Sequence, residues 1–451
     1  MTRKLIVFSD GCWVKPQYRS RKRRVPGNAA LAYQCVAPTD PENREQIRHL
    51  LDEHRKDTYY SNFMQRFFGL GTQKEIFNAY QFLANNHRDG DEIFLIGAGL
   101  GAYSLRRLAD LIDKAGLLTP DNLHLLPTAY EYSQIPMEAL ESPAAQALGE
   151  LLPRRPVRIR FLGCWDTVGS HGLPTPGLNR ISESWMMFTD HKLNSNVDAA
   201  YQAIALDERR SRFKPGLWTG THSPKLKAME QVWFTGSHEN VVGGRRDSGL
   251  SDIALTWLLD RAAEAGLYVD REKMEELTAP DVTGRIAMNR RKVFGLPLPF
   301  KKTFNRPVGK VSREFSANFD AEPEKLHESV LERQERDKKY RPRQLASLSE
   351  GDIPVFRATP GTYVNMRRHK RQSVDWPGFL VSGEAKVNVS LVDYSRTGAR
   401  VWLNGKPPEG SSLILQSSNA AINGLKSRVV WTRDNFLGLE FAHPLPLGAM
   451  E

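Results

Sequence analysis

The stretch that decides the fold of the first domain is DEIFLIGAGLGAYSLRRLAD, Asp91–Asp110. An apolar run leads into alternate glycines at Gly97, Gly99 and Gly101, and a helical pattern follows them. A strand, a tight glycine turn and a helix form both the dinucleotide-binding turn and the nucleophile elbow. The motif alone leaves both alternatives open.

The dinucleotide interpretation has a second requirement in the sequence. It needs a following strand that ends in an acidic residue about 20 residues after the turn, to hold a ribose. Here Ala102–Gly116 has one continuous helical pattern and is followed by LLTPDNLHLLP, which contains no such strand. The sequence therefore disfavours a dinucleotide site at these glycines.

Around this stretch, strand-like and helix-like patterns alternate. The strand-like runs are KLIVFSD, DEIFLIG, VRIRFLGCWD and QVWFTGSHEN. The helix-like runs are EIFNAYQFLANNHRDG, AYSLRRLADLIDKAG, VDAAYQAIALDERR and SDIALTWLLDRAAEAG. Nearly continuous apolar strands separated by amphipathic helices predict an α/β fold, with a mostly parallel sheet flanked by helices.

The pattern changes after Leu345. Short alternating strands follow at regular intervals with almost no helix: KVNVSLVD, GARVWL, SSLILQS, SRVVWT and FLGLEFA. This is typical of a small all-β barrel or sandwich. We predict an α/β domain over residues 1–346, a linker over 347–362 and an all-β domain over 363–451.

Composition excludes several classes of protein. With 40% hydrophobic and 25% charged residues, the 451-residue chain has the composition of an ordinary globular protein. Its three cysteines, Cys12, Cys35 and Cys164, show no metal-binding or disulfide spacing, so we expect no metal site. The first apolar run is too short for a signal peptide, and no run is long enough to span a bilayer. These features favour a cytoplasmic protein.

The formal net charge of +11 predicts attraction to anions such as acidic lipid or nucleotide phosphates. Basic residues cluster in Tyr18–Gly27 and in Asn289–Lys310. Each cluster is interpreted either as a solvated loop or as a patch for an anionic membrane surface or a partner. Neither pattern indicates specific binding of nucleic acid.

The all-β tail contains a second set of candidate residues. Arg367 and Arg371 lie on a short basic segment in front of the predicted barrel, and Asp393 and Ser395 share one strand face before Gly398. Arginines offer planar forks for phosphate and can stack on a purine. A carboxylate can accept the N1 and N2 hydrogens of guanine, and a serine can add a polar contact. Together these residues indicate a site for a guanine nucleotide with several phosphates.

The tail resembles the PilZ domain, a bacterial receptor for cyclic di-GMP. The two parts of the PilZ motif, RxxxR and D/NxSxxG, are matched by Arg367–Arg371 and by Asp393–Gly398. The resemblance implies that the arginines clamp the phosphates and stack on guanine, that Asp393 and Ser395 read the base edge, and that Gly398 permits a backbone turn. A PilZ-like barrel that keeps its motif without binding is the alternative.

The glycine turn also fits the frame strand–GxSxG–helix of a nucleophile elbow. The central position, however, is Gly99 rather than serine. Asp166 and His238 each follow a predicted strand, so the chain order is nucleophile, acid and base, as in α/β-hydrolases.

The first domain resembles an α/β-hydrolase family that includes type VI secretion phospholipase effectors. The segments that carry the resemblance are VFSDGCW, GLGT, AYQFLANNHRDGDEIFLIGAGLGAYSLRRLADLI, FLGCWDTVGS, DHKLNSNVDAAYQAIALDERRSRF, VWFTGSHENVVGG, GLSDIALTWL and LHESVLERQERDKKYRP. In that family the elbow usually reads like GFSRG. The resemblance therefore implies that Gly99 occupies the nucleophile position and that Asp166 and His238 are a vestigial acid and base.

Without a hydroxyl at position 99 no acyl-enzyme can form there. We therefore expect a cyclic di-GMP receptor whose PilZ domain controls a catalytically silent hydrolase-like domain, with a protein partner bound by the latter. The alternative is a cyclic di-GMP-regulated esterase or phospholipase. Its nucleophile would be either a water activated by His238 and Asp166 or one of the following residues: Ser9, Cys12, Ser104, Cys164 or Ser170. A dinucleotide-dependent enzyme is a third, weaker interpretation.

Overall fold

The chain divides into two compact units, Met1–Asn365 and Met366–Glu451. A computed structural model describes residues 2–11, 25–51, 70–169, 191–223, 225–287, 292–293, 296–297, 304–309, 324–346, 348, 353–357, 371–383, 385–395, 398–403, 413–417, 422–433, 436–443 and 445. Each unit is built around its own hydrophobic core.

The first unit contains an eight-stranded sheet in which every strand pair is parallel. Its strands are β1 (Lys4–Gly11), β2 (Gln46–Leu51), β3 (Glu92–Gly99), β4 (Ile159–Trp165), β6 (Ala199–Ala205), β8 (Ala228–Phe234), β11 (Glu324–His327) and β12 (Val355–Phe356). Their order across the sheet is β12-β11-β8-β6-β4-β3-β1-β2. Two separate two-stranded pairs are β5 (Lys192–Leu193) with β7 (Gly220–Thr221), and β9 (Lys292–Val293) with β10 (Leu296–Pro297).

Eight of the nine described α-helices of this unit form two packed groups. The nine helices are α1 (Asn28–Cys35), α2 (Leu70–Asn86), α3 (Leu100–Ala115), α4 (Leu126–Ser133), α5 (Pro143–Glu150), α6 (His238–Val242), α7 (Gly249–Glu264), α8 (Arg271–Leu277) and α9 (Glu328–Arg336). Helices α2 to α5 pack in sequence on one another, and α1, α6, α7 and α8 form the second group.

The inner strands of the sheet are buried on both faces. In β1, Leu5 and Val7 belong to one core cluster with residues of α2 and α3, while the alternate residues Ile6 and Phe8 are also fully buried. This is why β1 and β3 have nearly continuous apolar sequences. The prediction of an α/β fold with a mostly parallel sheet and flanking helices is confirmed.

One predicted helix is instead a strand. The run VDAAYQAIALDERR was predicted to be helical, but Ala199–Ala205 within it forms β6 in the middle of the sheet. All seven residues of this strand are buried, so no polar alternation marks it. Its alanines and its glutamine favour helix locally, and burial between β4 and β8 overrides that preference.

The second unit is a closed six-stranded antiparallel barrel. Its strands are β13 (Arg371–Ser382), β14 (Ala385–Ser395), β15 (Gly398–Leu403), β16 (Leu413–Ser417), β17 (Leu425–Arg433) and β18 (Phe436–Phe441). They close in the order β13-β14-β15-β18-β17-β16 around a core that includes Leu380, Leu391, Val401, Leu415 and Leu439. The prediction of a small all-β barrel is confirmed.

Two sequence patterns had a different local structure from the one expected. Within the stretch predicted to be a linker, Val355–Phe356 forms β12 and pairs with β11 in the sheet of the first unit. Arg371, expected on a segment in front of the barrel, is the first residue of β13. Arg367 and residues 18–24 of the first basic cluster lie outside the described residues.

Candidate functional sites

The elbow is built as the sequence predicts, with β3 ending at Gly99 and α3 beginning at Leu100. Gly99 has φ 57° and ψ −116°, a conformation that strains any residue with a side chain. The flanking glycines are needed for space: a Cβ on Gly97 would lie 2.8 Å from the backbone of Ala102, and one on Gly101 would lie 2.6 Å from the Ser9 carbonyl oxygen. The turn therefore packs tightly against β1 and α3.

Residues 116–158, all of which the structure describes, contain helices and turns but no strand. The strand that follows α3 in the sequence is β4, which begins only at Ile159. The acidic strand that a dinucleotide site requires is therefore missing from this position.

Asp166 and His238 are brought together at one edge of the sheet. Asp166 follows β4 directly, and His238 is the first residue of α6 after β8. The carboxyl ends of parallel strands share one edge, so residues that are distant in sequence can meet there. His238 Nδ1 lies 2.7 Å from Asp166 Oδ2, and both side chains are buried. Asp166 also has a positive φ of 42°, a strained conformation for a non-glycine residue.

The imidazole of His238 faces the elbow. A Cβ built on Gly99 would lie 3.2 Å from both Cε1 and Nε2 of His238. Among the described residues, Nε2 has no hydrogen-bond partner, although His238 is only 2% exposed. A serine at position 99 would therefore direct its side chain at the ring nitrogen that acts as the base in a triad. In this chain that position carries no side chain.

Arg306 completes the cluster, and the sequence analysis missed it. Its side chain is fully buried, and its guanidinium forms two hydrogen bonds to the carboxylate of Asp166, one of them 3.0 Å long. It also donates to the carbonyl oxygens of Ala205 and Phe213. Arg306 lies in the second basic cluster, which was interpreted as a solvated loop or an anion-binding patch. That interpretation is wrong for Arg306, because its charge is held inside the domain by Asp166.

These contacts determine the charge state of the acidic residues. Burial alone would raise the pKa of Asp166, but the positive charge of Arg306 and the hydrogen bond from His238 lower it well below the usual range. Glu208, which accepts a hydrogen bond from the backbone N–H of His238, is paired with Arg210. Burial opposes its ionisation too, yet Arg210 lowers the pKa of Glu208. Both carboxylates are therefore charged at neutral pH.

Three of the alternative nucleophiles lie among the described residues and are constrained. The hydroxyls of Ser9 and Ser104 both donate to the carboxylate of Glu75. Burial raises the pKa of the Cys164 thiol to about 11, so little thiolate forms at neutral pH. Cys12 and Ser170 lie outside the described residues.

The barrel brings the two parts of the PilZ motif together through strand pairing. The β13–β14 register places Arg371 opposite Ser395, and the β14–β15 register places Ser395 opposite Gly398. Asp393 pairs with Arg400 across the same two strands, and their side chains form an ion pair with 2.6 Å between Oδ2 and Nη2. Arginine 400 was not singled out from the sequence.

Gly398 has a steric role in the barrel. It was expected to permit a backbone turn, and it is the first residue of β15, paired with Ser395 of β14. A Cβ at this position would lie 2.3 Å from the carbonyl oxygen of Leu439 on β18. Glycine is therefore needed so that β15 and β18 can pair closely.

In the described part of the chain, no helix is both long enough and apolar enough to cross a membrane. Among the same residues, no group of three or more His, Cys, Asp or Glu side chains is placed to hold a metal ion.

Comparisons with known proteins identify relatives of both units. A part of the chain matches an uncharacterized protein of Saccharomyces cerevisiae, YEL023C, at 28% identity over 213 residues, which is 45% of this chain and 28% of the yeast protein. The chain thus spans little more than a quarter of that relative.

Two solved structures are similar to the chain. One is the Tle1 effector bound to the VgrG spike from the type VI secretion system, at 14% identity and a TM-score of 0.38, covering 62% of this chain and 76% of that one. The other is an uncharacterized protein from Pseudomonas aeruginosa, at 13% identity and a TM-score of 0.32, covering 59% and 46%.

Two family models match the sequence itself. Residues 3–261, more than half of the chain, match the catalytic domain of Tle1-like phospholipase effectors of the type VI secretion system. Residues 365–451 match the PilZ domain. The chain therefore belongs to the Tle1-like phospholipase effector family and carries a PilZ domain at its carboxyl-terminal end.

Proposed function

We propose that this protein is a cytoplasmic cyclic di-GMP receptor, in which the PilZ domain controls a hydrolase-like domain that no longer catalyses hydrolysis. The hydrolase-like domain would then serve as a surface for a protein partner. The observation that carries this proposal is a barrel whose strand register places Arg371 opposite Ser395, in the same chain as an elbow whose central residue, Gly99, offers no nucleophile to His238.

The barrel supports the receptor half of the proposal. Strand pairing places Arg371, Ser395 and Gly398 side by side, and Asp393 lies on the same strand as Ser395. Arg367 and Arg371 would bind the phosphates of the ligand through planar forks. Asp393 would accept the N1 and N2 hydrogens of guanine, with Ser395 as a second polar contact.

The elbow supports the second half of the proposal, that the hydrolase-like domain does not catalyse hydrolysis. Triad hydrolases need a hydroxyl or thiol within hydrogen-bond reach of the base. Here Nε2 of His238 faces the Cα of Gly99, and the Ser9 and Ser104 hydroxyls are hydrogen-bonded to Glu75. Asp166 and His238 would then remain mainly as a buried polar pair that holds β4, β8 and the segment of Arg306 together.

The receptor half is tested by calorimetric titration of the full chain with cyclic di-GMP. We expect binding by the native protein and a loss of about tenfold to a hundredfold for Arg371→Ala, because charge-assisted hydrogen bonds to phosphate are removed. The matched control is Arg428→Ala, which removes an exposed arginine of the same barrel whose partner is Glu440. Absence of binding by the native protein would contradict the receptor function.

A second candidate function is hydrolysis by a water held between His238 and the elbow. It is favoured by the 2.7 Å contact between His238 and Asp166 and by the orientation of Nε2 toward Gly99. It predicts that the native protein hydrolyses short-chain esters or phospholipids, and that His238→Ala abolishes this activity. If neither the native protein nor His238→Ala hydrolyses these substrates, the result favours a hydrolase-like domain without catalytic activity.

The partner is sought by affinity capture with the full chain in the presence and absence of cyclic di-GMP. Capture that depends on the nucleotide, and that Arg371→Ala removes, supports control by the PilZ domain. Vesicles with and without anionic lipid test the alternative that the charge of +11 directs the protein to a membrane surface.

A further inference from the structure

An ion pair joins Asp393, the first residue in the second part of the motif, to Arg400, which lies outside the motif. Arg400 is on β15, two residues after Gly398, and its Nη2 lies 2.6 Å from Oδ2 of Asp393. The Asp393 side chain is 7% exposed and the Arg400 side chain 30% exposed. The carboxylate is thus nearly buried, and a more exposed arginine covers it.

The backbone around Asp393 is irregular on both sides. The β14–β15 register shifts between Leu391 and Asp393, and the β13–β14 register shifts between Ser373 and Trp376. Bulges of this kind redirect a side chain away from the regular alternation of a strand. Because the terminal torsion of an aspartate is broad, the backbone alone does not fix the plane of its carboxylate.

A guanidinium on one carboxylate oxygen restricts that torsion. A carboxylate has about four lone-pair positions, so it can accept from Arg400 and from other N–H groups at the same time. Guanine presents two such groups in one plane, at N1 and N2. A carboxylate held by Arg400 is therefore oriented before a base arrives, which lowers the entropic cost of reading the base edge.

We infer that Arg400 is a positioning residue that orients Asp393 for guanine and so sets the base specificity of the barrel. This inference rests on the proposed binding of cyclic di-GMP. Arg400 acts through Asp393, so its loss affects recognition of the guanine amine more than it affects the attraction of the phosphates.

The test compares two ligands that differ by that amine. Cyclic di-IMP keeps the N1 hydrogen of each base and lacks the N2 amine. Titrations of the full chain with both ligands give a discrimination ratio for the native protein, Arg400→Gln and Arg400→Lys. The control is Arg428→Gln, which breaks the ion pair of comparable length with Glu440 on the same barrel.

We expect Arg400→Gln to weaken cyclic di-GMP binding by about tenfold and cyclic di-IMP binding much less, because a charged hydrogen bond that orients the acceptor is lost. Arg400→Lys should give an intermediate ratio, since lysine keeps the charge without the planar fork. Arg428→Gln should leave both affinities unchanged. If Arg400→Gln does not fold, as judged by circular dichroism, the test of the role of Arg400 rests on the discrimination ratio of Arg400→Lys.

Three results would overturn the inference while leaving the proposed receptor intact: an unchanged ratio, an equal loss for both ligands, or tighter binding by Arg400→Gln. The last would mean that Arg400 competes with guanine for Asp393. Failure of the native protein to bind cyclic di-GMP would instead refute the proposed function, and this inference with it.

Discussion

Gly97, Gly99 and Gly101 alternate along one turn, yet each is required for a different physical reason. Gly97 and Gly101 leave room for the backbones of α3 and β1, whereas Gly99 adopts a positive φ with its Cα facing His238. At Gly99 the atoms nearest to an added Cβ belong to the His238 side chain, at 3.2 Å, whereas at Gly97 and Gly101 backbone atoms lie within 2.8 Å of it. This is the one glycine of the three that could be replaced without moving backbone.

Gly99→Ser should give a hydrolase with reduced stability. The positive φ should lower the free energy of unfolding by about 1–3 kcal/mol. The new hydroxyl, within reach of His238 Nε2, should raise ester hydrolysis by about tenfold or more over the native protein.

The matched control is Gly99→Ala, which has the same strained Cβ and no hydroxyl. It should be destabilised to a similar extent and remain inactive. If the serine and alanine variants hydrolyse esters equally, or if His238→Ala in the serine variant leaves the activity intact, the assignment of position 99 is wrong.

Arg306→Gln should destabilise the first domain by about 3–5 kcal/mol at neutral pH, because it removes the charge that compensates the buried carboxylate of Asp166. The folded-state pKa of Asp166 is lowered, so its ion pairs contribute stability above about pH 4, the unfolded pKa, and lose it as pH falls further. The difference between native and variant should therefore be large at pH 7 and shrink on acidification.

Tryptophan fluorescence during urea unfolding at several pH values measures this difference, since Trp165, Trp218, Trp233 and Trp257 are buried in the same domain. A difference that is independent of pH would show that Arg306 acts through its contacts with Ala205 and Phe213 instead.

The candidate acid and base could be predicted from the sequence, but Arg306 could not. Asp166 and His238 follow apolar strands, and parallel topology brings strand ends to one edge. Arg306 belongs to a basic, aromatic stretch without periodicity, where no pattern separates a buried arginine from a solvated one. Its position depends on a contact across 140 residues of sequence, which only the folded chain reveals.

At the scale of elements, strands were predictable where their sequence alternates or is continuously apolar. The barrel strands β14 to β18 follow the alternating pattern predicted for them, and β1, β3, β4 and β8 contain nearly continuous apolar runs. β6 was wrongly predicted as a helix because small residues and glutamine carry no strand signal. Its Gln202 is satisfied inside the sheet by Gly216 and Gln231, a contact that sequence cannot show.

Gly398→Ala should weaken the pairing of β15 with β18. The added Cβ would meet the Leu439 carbonyl oxygen at 2.3 Å, so the strands must separate, at a cost of about 1–3 kcal/mol. Hydrogen exchange should accelerate in these two strands, and cyclic di-GMP affinity should fall.

Gly383→Ala is the control for Gly398→Ala. Gly383 also lies in the barrel and has a positive φ of 57°, but nothing lies within 4 Å of an added Cβ. It should cost backbone strain without separating β15 from β18. Equal exchange rates in the two variants would contradict a steric role for Gly398.

At the scale of the whole molecule, the two units carry separate chemistry on one basic chain. The net charge of +11 should assist capture of a ligand with two phosphates. We expect the affinity for cyclic di-GMP to fall severalfold as NaCl rises from about 50 to about 300 mM, because salt screens exposed charges.

If Arg371 binds phosphate as proposed, the dependence on salt should be shallower for Arg371→Ala and unchanged for Arg428→Ala. Titration calorimetry at several salt concentrations gives both slopes. An affinity that does not respond to salt would indicate that recognition of the base, rather than of the phosphates, dominates binding.

The backbone conformation of Gly99 has a consequence for the ancestry of the protein. Glycine and serine codons can differ by a single base, so one base substitution can introduce a hydroxyl at position 99. Yet any serine placed there must adopt a φ near 57°, which glycine tolerates without strain. If an ancestor had serine at position 99, its replacement by glycine removed backbone strain from the turn. A variant that regains the serine would then be less stable than the present protein. Selection for catalysis by a serine at position 99 would have to exceed that disadvantage.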